Sequence, residues 1–193
     1  TDRGASQNGD HVLIIGAGPI GVEFAHVWAS YGAEVTIVEL LETLLPLEDP
    51  DIGRQLKRSF EGRGIRCLVK TRVEEVATGA GGARVTVKSE AGEEALDADT
   101  VLVAIGFIPH TAGLNLESTG AATQRGFITI DDRMQTSVPG IYAVGDVTGK
   151  LMLAHVASQQ GVLAIENIAG KSPPALDYIQ LPRATFCQPQ VGS

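Results

Sequence analysis

One stretch near the start of the chain constrains the fold more than any other. Residues 11–15 (HVLII) form a short β-branched apolar run, and residues 16–21 (GAGPIG) follow it directly. Residues 22–31 are then typical of a helix, and residues 33–38 of a second apolar strand that ends at Glu39. This order of strand, glycine-rich turn, helix and strand predicts a βαβ unit with parallel strands.

Each of the three positions in the turn is a glycine for a different physical reason. Gly16 permits the tight turn from strand to helix, Gly18 leaves the backbone bare so that a pyrophosphate can approach, and Gly21 lets the helix pack closely on the strand. The free N–H groups and the positive dipole end of the helix favour phosphate charge at the same place. Because Glu39 follows Gly16 by 23 residues, the pattern predicts a dinucleotide-binding unit.

Glu39 indicates which dinucleotide is bound. A carboxylate at the end of the second strand can accept hydrogen bonds from the adenosine ribose hydroxyls, but it repels a 2′-phosphate. No arginine follows it in residues 40–43 (LLET), where a phosphate would need one. The residues therefore favour NAD over NADP. The alternative is that Glu39 is only a solvated charge at a strand end.

The following hundred residues extend this unit. Asp49 and Pro50 are typical of a helix start, and residues 65–69 predict a third strand in which Cys67 is a small buried hydrophobe. Alternating residues from 73 onward predict an antiparallel β-meander before a last parallel strand at residues 100–105. The predicted fold class is α/β: a Rossmann-like βαβαβ domain of the three-layer FAD/NAD(P)-binding type.

A second glycine signal occurs later in the chain. Residues 141–144 predict a short buried strand, followed by Gly145 and Asp146. An aspartate at the carboxyl end of a strand can hold a ribityl or ribose hydroxyl, although a turn or helix-cap aspartate is an equal alternative. A helix is predicted over residues 156–169, and His155 just before it is expected to be a cap or to be held by backbone.

Composition excludes several classes of protein. Among 193 residues, 44% are hydrophobic and 20% are charged, which argues against a disordered chain. The net charge of −8 argues against a nucleic-acid surface, and no apolar run approaches the roughly 20 residues of a membrane helix. The two cysteines, Cys67 and Cys187, form neither a disulfide framework nor a C-x-x-C pair. We predict no nucleic-acid or membrane partner and no metal site.

These motifs together resemble the flavoprotein disulfide reductases, and most closely the branch of that family that oxidises dihydrolipoamide. The resemblance is carried by motifs in the family's order along almost the whole chain. They are residues 16–23 (GAGPIGVE), 38–39 (VE), 104–109 (AIGFIP), 141–146 (IYAVGD), 152–155 (MLAH) and 181–186 (LPRATF).

The resemblance implies a set of cofactor contacts. The residues implied to contact NAD are Gly16, Ala17, Gly18, Pro19, Ile20, Gly21, Val22, Glu23, Glu39, Val73 and Gly106. Asp146 is implied to bind the ribityl chain of FAD, and the isoalloxazine contacts are Met152, Leu153, Ala154 and His155. Glu23 is implied to lie near the nicotinamide, whereas the residues alone would favour an exposed helix carboxylate at this position.

The resemblance also implies a domain organisation. Residues 1–10 are expected to be a leader or linker, 11–111 the NAD-binding domain, 112–180 a returning segment of the FAD-binding domain, and 181–193 the start of the interface domain. The family's redox pair, C-x-x-x-x-C, and its histidine–glutamate base do not occur in this sequence. We therefore expect no catalytic residue here, and a chain that is the central part of a longer enzyme and by itself only binds NAD.

The activity implied for the whole enzyme is oxidation of dihydrolipoamide to lipoamide through a redox disulfide and FAD, with reduction of NAD. Its implied partners are a lipoyl domain of a 2-oxo acid dehydrogenase complex and a second copy of the enzyme. The implied location is the bacterial cytoplasm or, in a eukaryote, the mitochondrial matrix. Two alternatives remain open: another two-dinucleotide flavoprotein, of the mercuric reductase or NADH oxidase type, and a stand-alone NAD-binding sensor.

Overall fold

The computed structural model describes residues 10–193. The chain forms two compact units: one contains residues up to Gly106 together with Ala184–Ser193, and the other is Phe107–Arg183. The leader or linker predicted over residues 1–10 lies, except for residue 10, outside the described residues. The domain boundaries drawn at 111 and 180 stay predictions.

A four-stranded parallel sheet forms the centre of the first unit. Its strand order is β3-β2-β1-β7, so the first strand lies between the second and the last. Its strands are β1 (His11–Ile15), β2 (Glu34–Val38), β3 (Arg66–Leu68) and β7 (Thr100–Val103). Ile15 pairs with Val38 on one side and with Val103 on the other. The carboxyl ends of these strands therefore meet at one edge, where α/β sheets bind their ligands.

Two helices cover one face of this sheet. Helix α1 (Pro19–Ser30) buries Val22 and Ala25 completely. Helix α2 (Pro50–Gly62) begins as predicted, because the Asp49 side chain accepts a hydrogen bond from the N–H of Asp51 at 2.7 Å. Both helices pack into a core cluster that includes alternate residues of the central strands.

A β-meander covers the opposite face. Its antiparallel strands are β4 (Arg72–Gly79), β5 (Gly82–Ser89) and β6 (Gly92–Ala98). Its apolar residues pack in a second cluster with Leu13 and Val38 of the parallel sheet. Helices, parallel sheet and meander thus form three layers, which confirms the predicted Rossmann-like fold class. A hairpin of β10 (Ala184–Thr185) and β11 (Val191–Gly192) belongs to the same unit.

The second unit contains little regular structure apart from one long helix. Its elements are α3 (Leu116–Thr119), β8 (Thr123–Gln124), β9 (Phe127–Ile128), a 3₁₀ turn at Asp146–Thr148 and α4 (Ala154–Ile168). Its core cluster gathers around Met134, which is 1% exposed, with Ile128 and Leu163 among the contributors.

The buried strand predicted over residues 141–144 is wrong. Tyr142 makes one isolated antiparallel bridge to Gln135, and Ile141 and Val144 are each 38% exposed. A buried strand needs hydrogen-bonding neighbours on adjacent strands, and the described residues of this unit offer only that single bridge. Asp146 consequently starts a 3₁₀ turn and does not end a strand. Among residues 10–193, no helix is both long and apolar enough to cross a membrane.

Candidate functional site

Two of the three glycines in the turn after β1 have no room for a side chain. Gly16 has φ +101°, and a Cβ there would lie 2.5 Å from the carbonyl oxygen of Ala104. A Cβ on Gly21 would lie 2.0 Å from the carbonyl oxygen of Gly16. The N–H of Gly16 also donates to the Val38 carbonyl at 2.8 Å. Gly16 and Gly21 therefore permit β1, β7 and α1 to approach each other.

Gly18 differs from its two neighbours in the motif. It is the N-cap of α1, it makes no side-chain cap hydrogen bond, and a Cβ placed there would meet nothing within 4 Å. Pro19 occupies the first helical position and has no N–H, so the first turn presents the N–H groups of Ile20 and Gly21 without intrahelical partners. Open space thus lies beside N–H donors that have no hydrogen-bond partner among residues 10–193, at the positive end of a helix dipole.

Glu39 is fixed against this turn by backbone donors. Its side chain is 7% exposed, one carboxylate oxygen accepts from the Ala17 N–H at 2.7 Å, and the other accepts from the Leu41 N–H at 2.7 Å. The Ala17 carbonyl in turn accepts from the Leu45 N–H at 2.9 Å. Glu39 is therefore buried and not a solvated strand-end charge. Each carboxylate oxygen keeps a further lone pair for a hydroxyl donor.

The other residues predicted to contact NAD are placed in several ways. Ile20 is 36% exposed beside the turn, whereas the side chain of Val22 is fully buried in the helix packing. Val73 is half-buried in β4 and packs against the second core cluster. Gly106 is exposed, with φ +131°, after the end of β7.

Glu23 faces the terminal hairpin of its own unit. Its Oε1 accepts a hydrogen bond from the backbone N–H of Phe186 at 2.7 Å. The two residues are 163 positions apart in the chain, and no local sequence signal indicates this contact. Glu23 is half-buried, so it is neither a fully exposed helix carboxylate nor without a partner.

The turn at Asp146 is the second candidate site. Gly145 has φ +81° and ψ −160°, and Asp146 is exposed. The Asp146 carboxylate makes no hydrogen bond or ion pair with any other residue in the described part of the chain. The Gly145 N–H donates to Oε1 of Gln160 at 2.6 Å, a contact for which the sequence carries no signal.

The residues predicted to face the flavin lead into α4. Met152 and Leu153 are half-buried, and Leu153 is the N-cap without a side-chain cap hydrogen bond. The helix begins at Ala154, two residues earlier than predicted. His155 Nε2 lies 3.0 Å from the Pro182 carbonyl oxygen, so Nε2 carries the proton and donates. His155 is thus held by backbone.

Comparison with known proteins shows to which family the chain belongs. The model of the family described as "Pyridine nucleotide-disulphide oxidoreductase" matches residues 1–161. The chain belongs to this family.

Among the pyridine nucleotide-disulphide oxidoreductases, the chain is similar to proteins named dihydrolipoyl dehydrogenase. The chain is 48% identical over 186 residues to the dihydrolipoyl dehydrogenase of Mycobacterium leprae, a match that covers 95% of this chain and 40% of the relative. It is 41% identical over 185 residues to the mitochondrial dihydrolipoyl dehydrogenase of Pisum sativum, covering 94% and 37%. The chain thus spans about 40% of the length of the curated relatives it matches.

Solved structures give the same family at the level of the fold. LpdA from Mycobacterium tuberculosis superimposes with a TM-score of 0.86 and 33% identity over 95% of this chain and 39% of its own. The Cu(II) complex of the flavoprotein disulfide reductase RclA from Escherichia coli gives a TM-score of 0.83 and 30% identity over 95% and 42%.

A flavoprotein disulfide reductase uses FAD and a pyridine nucleotide, and the residues present fit both groups. The open space at Gly18 beside unpartnered N–H groups suits a pyrophosphate. The Asp146 carboxylate is exposed and has no partner among residues 10–193, so it can accept hydrogen bonds from hydroxyl groups.

Both cysteines of this family member are buried thiols. Cys67 is 6% exposed and Cys187 is 2% exposed, and both thiols are free. Burial raises the pKa of Cys67 to about 12 and that of Cys187 to about 11. Cys67 lies in β3 within the first core cluster, which confirms its prediction as a small buried hydrophobe. No group of three or more His, Cys, Asp or Glu side chains among the described residues could hold a metal ion.

Proposed function

We propose that this chain is the NAD-binding part, with an adjoining FAD-binding segment, of a dihydrolipoyl dehydrogenase. The whole protein would oxidise dihydrolipoamide to lipoamide through a redox disulfide and FAD, with reduction of NAD. The proposal that the chain binds NAD rests on the buried carboxylate of Glu39, which accepts a hydrogen bond from the glycine turn. The proposed substrate is supported by the dihydrolipoyl dehydrogenase of Mycobacterium leprae, to which the chain is 48% identical.

NAD, and not NADP, is the nucleotide we assign to the turn. A 2′-phosphate next to the Glu39 carboxylate would place two negative charges together in a poorly solvated position, which costs free energy. Leu40 and Leu41 follow Glu39 and offer no guanidinium to a phosphate. The adenosine ribose of NAD, by contrast, brings hydroxyl donors to the remaining lone pairs of that carboxylate.

The roles we assign in the NAD-binding domain, residues 11–111, follow from this geometry. The backbone of the turn from Gly16 to Val22 would bind the pyrophosphate, and Glu39 the ribose. Glu23 would lie near the nicotinamide, and Val73 and Gly106 would be further contacts of NAD. These residues bind and orient the nucleotide, while bound NAD and FAD supply the electron-transfer chemistry.

In residues 112–180 we assign the FAD contacts. The exposed carboxylate of Asp146 would accept hydroxyls of the ribityl chain. The start of α4 would face the flavin with backbone N–H groups. The residues we assign there are Met152, Leu153, Ala154 and His155. Residues 181–193 would open the interface domain.

The proposed partners and location follow from the proposed activity. The substrate would be dihydrolipoamide carried on a lipoyl domain of a 2-oxo acid dehydrogenase complex, and the whole protein would be a homodimer. It would act in the bacterial cytoplasm or in the mitochondrial matrix. The thiols and the base for the reaction would come from parts of the protein beyond this sequence, since both cysteines here are buried.

The test is an activity assay of the whole protein. We expect NADH to form from dihydrolipoamide and NAD, with a much lower rate with NADP. The Glu39→Ala variant should raise KM for NAD, whereas Glu34→Gln, at the exposed opposite end of β2, should leave it unchanged. The 193-residue chain alone should form no NADH. Absence of NADH production by the intact flavin-loaded protein would refute the proposed activity.

A further inference from the structure

Gln160 is a polar side chain that is completely buried in the second unit. It lies in the middle of α4 and is 0% exposed. A buried primary amide is costly unless its oxygen and its NH₂ group both find partners. Its contacts therefore indicate what the side chain does.

Both ends of the Gln160 amide are hydrogen-bonded. Its Oε1 accepts from the Gly145 N–H at 2.6 Å, and its Nε2 donates to the Tyr178 hydroxyl at 2.9 Å. The side chain thus connects the turn before Asp146, helix α4 and the segment after α4.

Gly145 occupies a backbone conformation that needs support. Its φ of +81° with ψ of −160° is a combination that is essentially confined to glycine. Its N–H is held by Gln160, and its carbonyl accepts from the Thr148 hydroxyl at 2.8 Å. Both polar groups of Gly145 are thereby fixed by side chains, and the direction in which the next residue leaves the turn is set.

We propose that Gln160 is a positioning residue for flavin binding: it fixes the Gly145-Asp146 turn so that the Asp146 carboxylate is presented to the ribityl hydroxyls of FAD. This inference rests on the proposed function, because Asp146 is assigned to FAD there. Gln160 itself does not touch the cofactor. Its effect is transmitted through the Gly145 N–H.

Two substitutions separate hydrogen bonding from packing. Gln160→Leu keeps the size of the side chain and removes both polar contacts. Gln160→Glu keeps them, because a protonated glutamic acid can accept from Gly145 and donate to Tyr178, and burial favours the protonated form. Hydrogen bonding predicts that Glu is tolerated better than Leu, whereas packing alone predicts that Leu is tolerated at least as well as Glu.

The experiment measures FAD binding to the apo form of the whole protein by quenching of flavin fluorescence. We expect Gln160→Leu to raise the Kd for FAD about 10-fold, as loss of one buried hydrogen-bond partner would do. Gln160→Glu should stay within about 3-fold of the unsubstituted protein. The Kd for NADH should not change in either variant. A Gln160→Leu protein that binds FAD normally would overturn the inference.

Asp146→Ala, measured in parallel, separates this inference from the proposed function. If Asp146→Ala weakens FAD binding and Gln160→Leu does not, only the positioning role is wrong. If Asp146→Ala binds FAD normally, the assignment of Asp146 is itself wrong.

Tyr178→Phe provides a second measurement should Gln160→Leu fail to fold. It removes one partner of Gln160, and we expect hydrogen exchange at the Gly145 amide to accelerate about 5-fold. Tyr142→Phe, a tyrosine of the same unit that Gln160 does not contact through a hydrogen bond, is the matched control. Equal Gly145 exchange rates in the two variants would also overturn the inference.

Discussion

The carboxylate of Glu39 accepts a hydrogen bond from the backbone N–H of Ala17 at 2.7 Å. This contact joins the carboxyl end of β2 to the middle of the glycine turn, across 22 residues of sequence. The side chain that we assign to the ribose therefore also holds the loop that we assign to the pyrophosphate. A change made at Glu39 to alter nucleotide preference will alter the loop as well.

Glu39→Gln should destabilise the fold even without nucleotide. A glutamine has one oxygen acceptor, so it can satisfy only one of the N–H groups of Ala17 and Leu41, and the other is left buried without a partner. We expect the free energy of unfolding to fall by about 1–3 kcal/mol, measured by urea denaturation. Glu34→Gln, on an exposed position of the same strand, should change it by less than about 0.5 kcal/mol. Equal effects of the two substitutions would contradict the role given to the contact.

Gly18→Ala should weaken nucleotide binding without changing stability, whereas Gly21→Ala should destabilise the fold. Alanine at 18 meets nothing within 4 Å and fits φ −68°, so we expect an unchanged Tm. NADH binding should nevertheless weaken about 10-fold, because the methyl group enters the space that we assign to the pyrophosphate. Alanine at 21 would lie 2.0 Å from the Gly16 carbonyl oxygen, and we expect a loss of about 3 kcal/mol or more. Thermal unfolding and calorimetric titration with NADH measure both effects.

Glu23 should anchor the hairpin of β10 and β11. Glu23→Ala removes the acceptor for the Phe186 N–H, so hydrogen exchange at that amide should accelerate about 5-fold or more. Glu23→Gln keeps an acceptor oxygen and should leave the exchange rate nearly unchanged. If alanine and glutamine give the same rate, the hydrogen bond does not anchor the hairpin.

The two thiols should resist alkylation in the native protein. With pKa values of about 12 for Cys67 and about 11 for Cys187, almost no thiolate is present at pH 8. We expect iodoacetamide at pH 8 to modify neither residue until the chain is unfolded in denaturant, as followed by mass spectrometry. Rapid labelling of the native protein at either cysteine would contradict this.

The raised thiol pKa values also predict an alkaline loss of stability. Above the ordinary pKa of 9.0 the unfolded chain releases the thiol protons while the folded chain retains them. Stability contributed by the protonated thiols is therefore complete below pH 9 and is lost as the pH rises toward 12. Cys67→Ala should reduce this alkaline dependence, measured as unfolding free energy between pH 8 and pH 11, whereas an unchanged slope would contradict it.

Local signals explain why the first unit could be predicted from the sequence. The β1 run, the glycine turn and the Asp49-Pro50 helix start each depend on neighbouring residues, and all three appear as predicted. Neighbouring residues could not show whether residues 141–144 form a strand, because a strand forms only where other strands pair with it. Contacts such as Glu23 with Phe186 join residues 163 positions apart, and nothing in a single sequence indicates them.

Calorimetric titration of this chain with NADH and with NADPH measures whether Glu39 selects NAD over NADP. We expect NADH to bind, and NADPH to bind at least about 10-fold more weakly, because the 2′-phosphate of NADPH would meet the Glu39 carboxylate. In Glu39→Ala the difference between the two nucleotides should shrink. The proposed NAD site would be contradicted if the unsubstituted chain bound NADPH as tightly as NADH, or if it did not bind NADH at all.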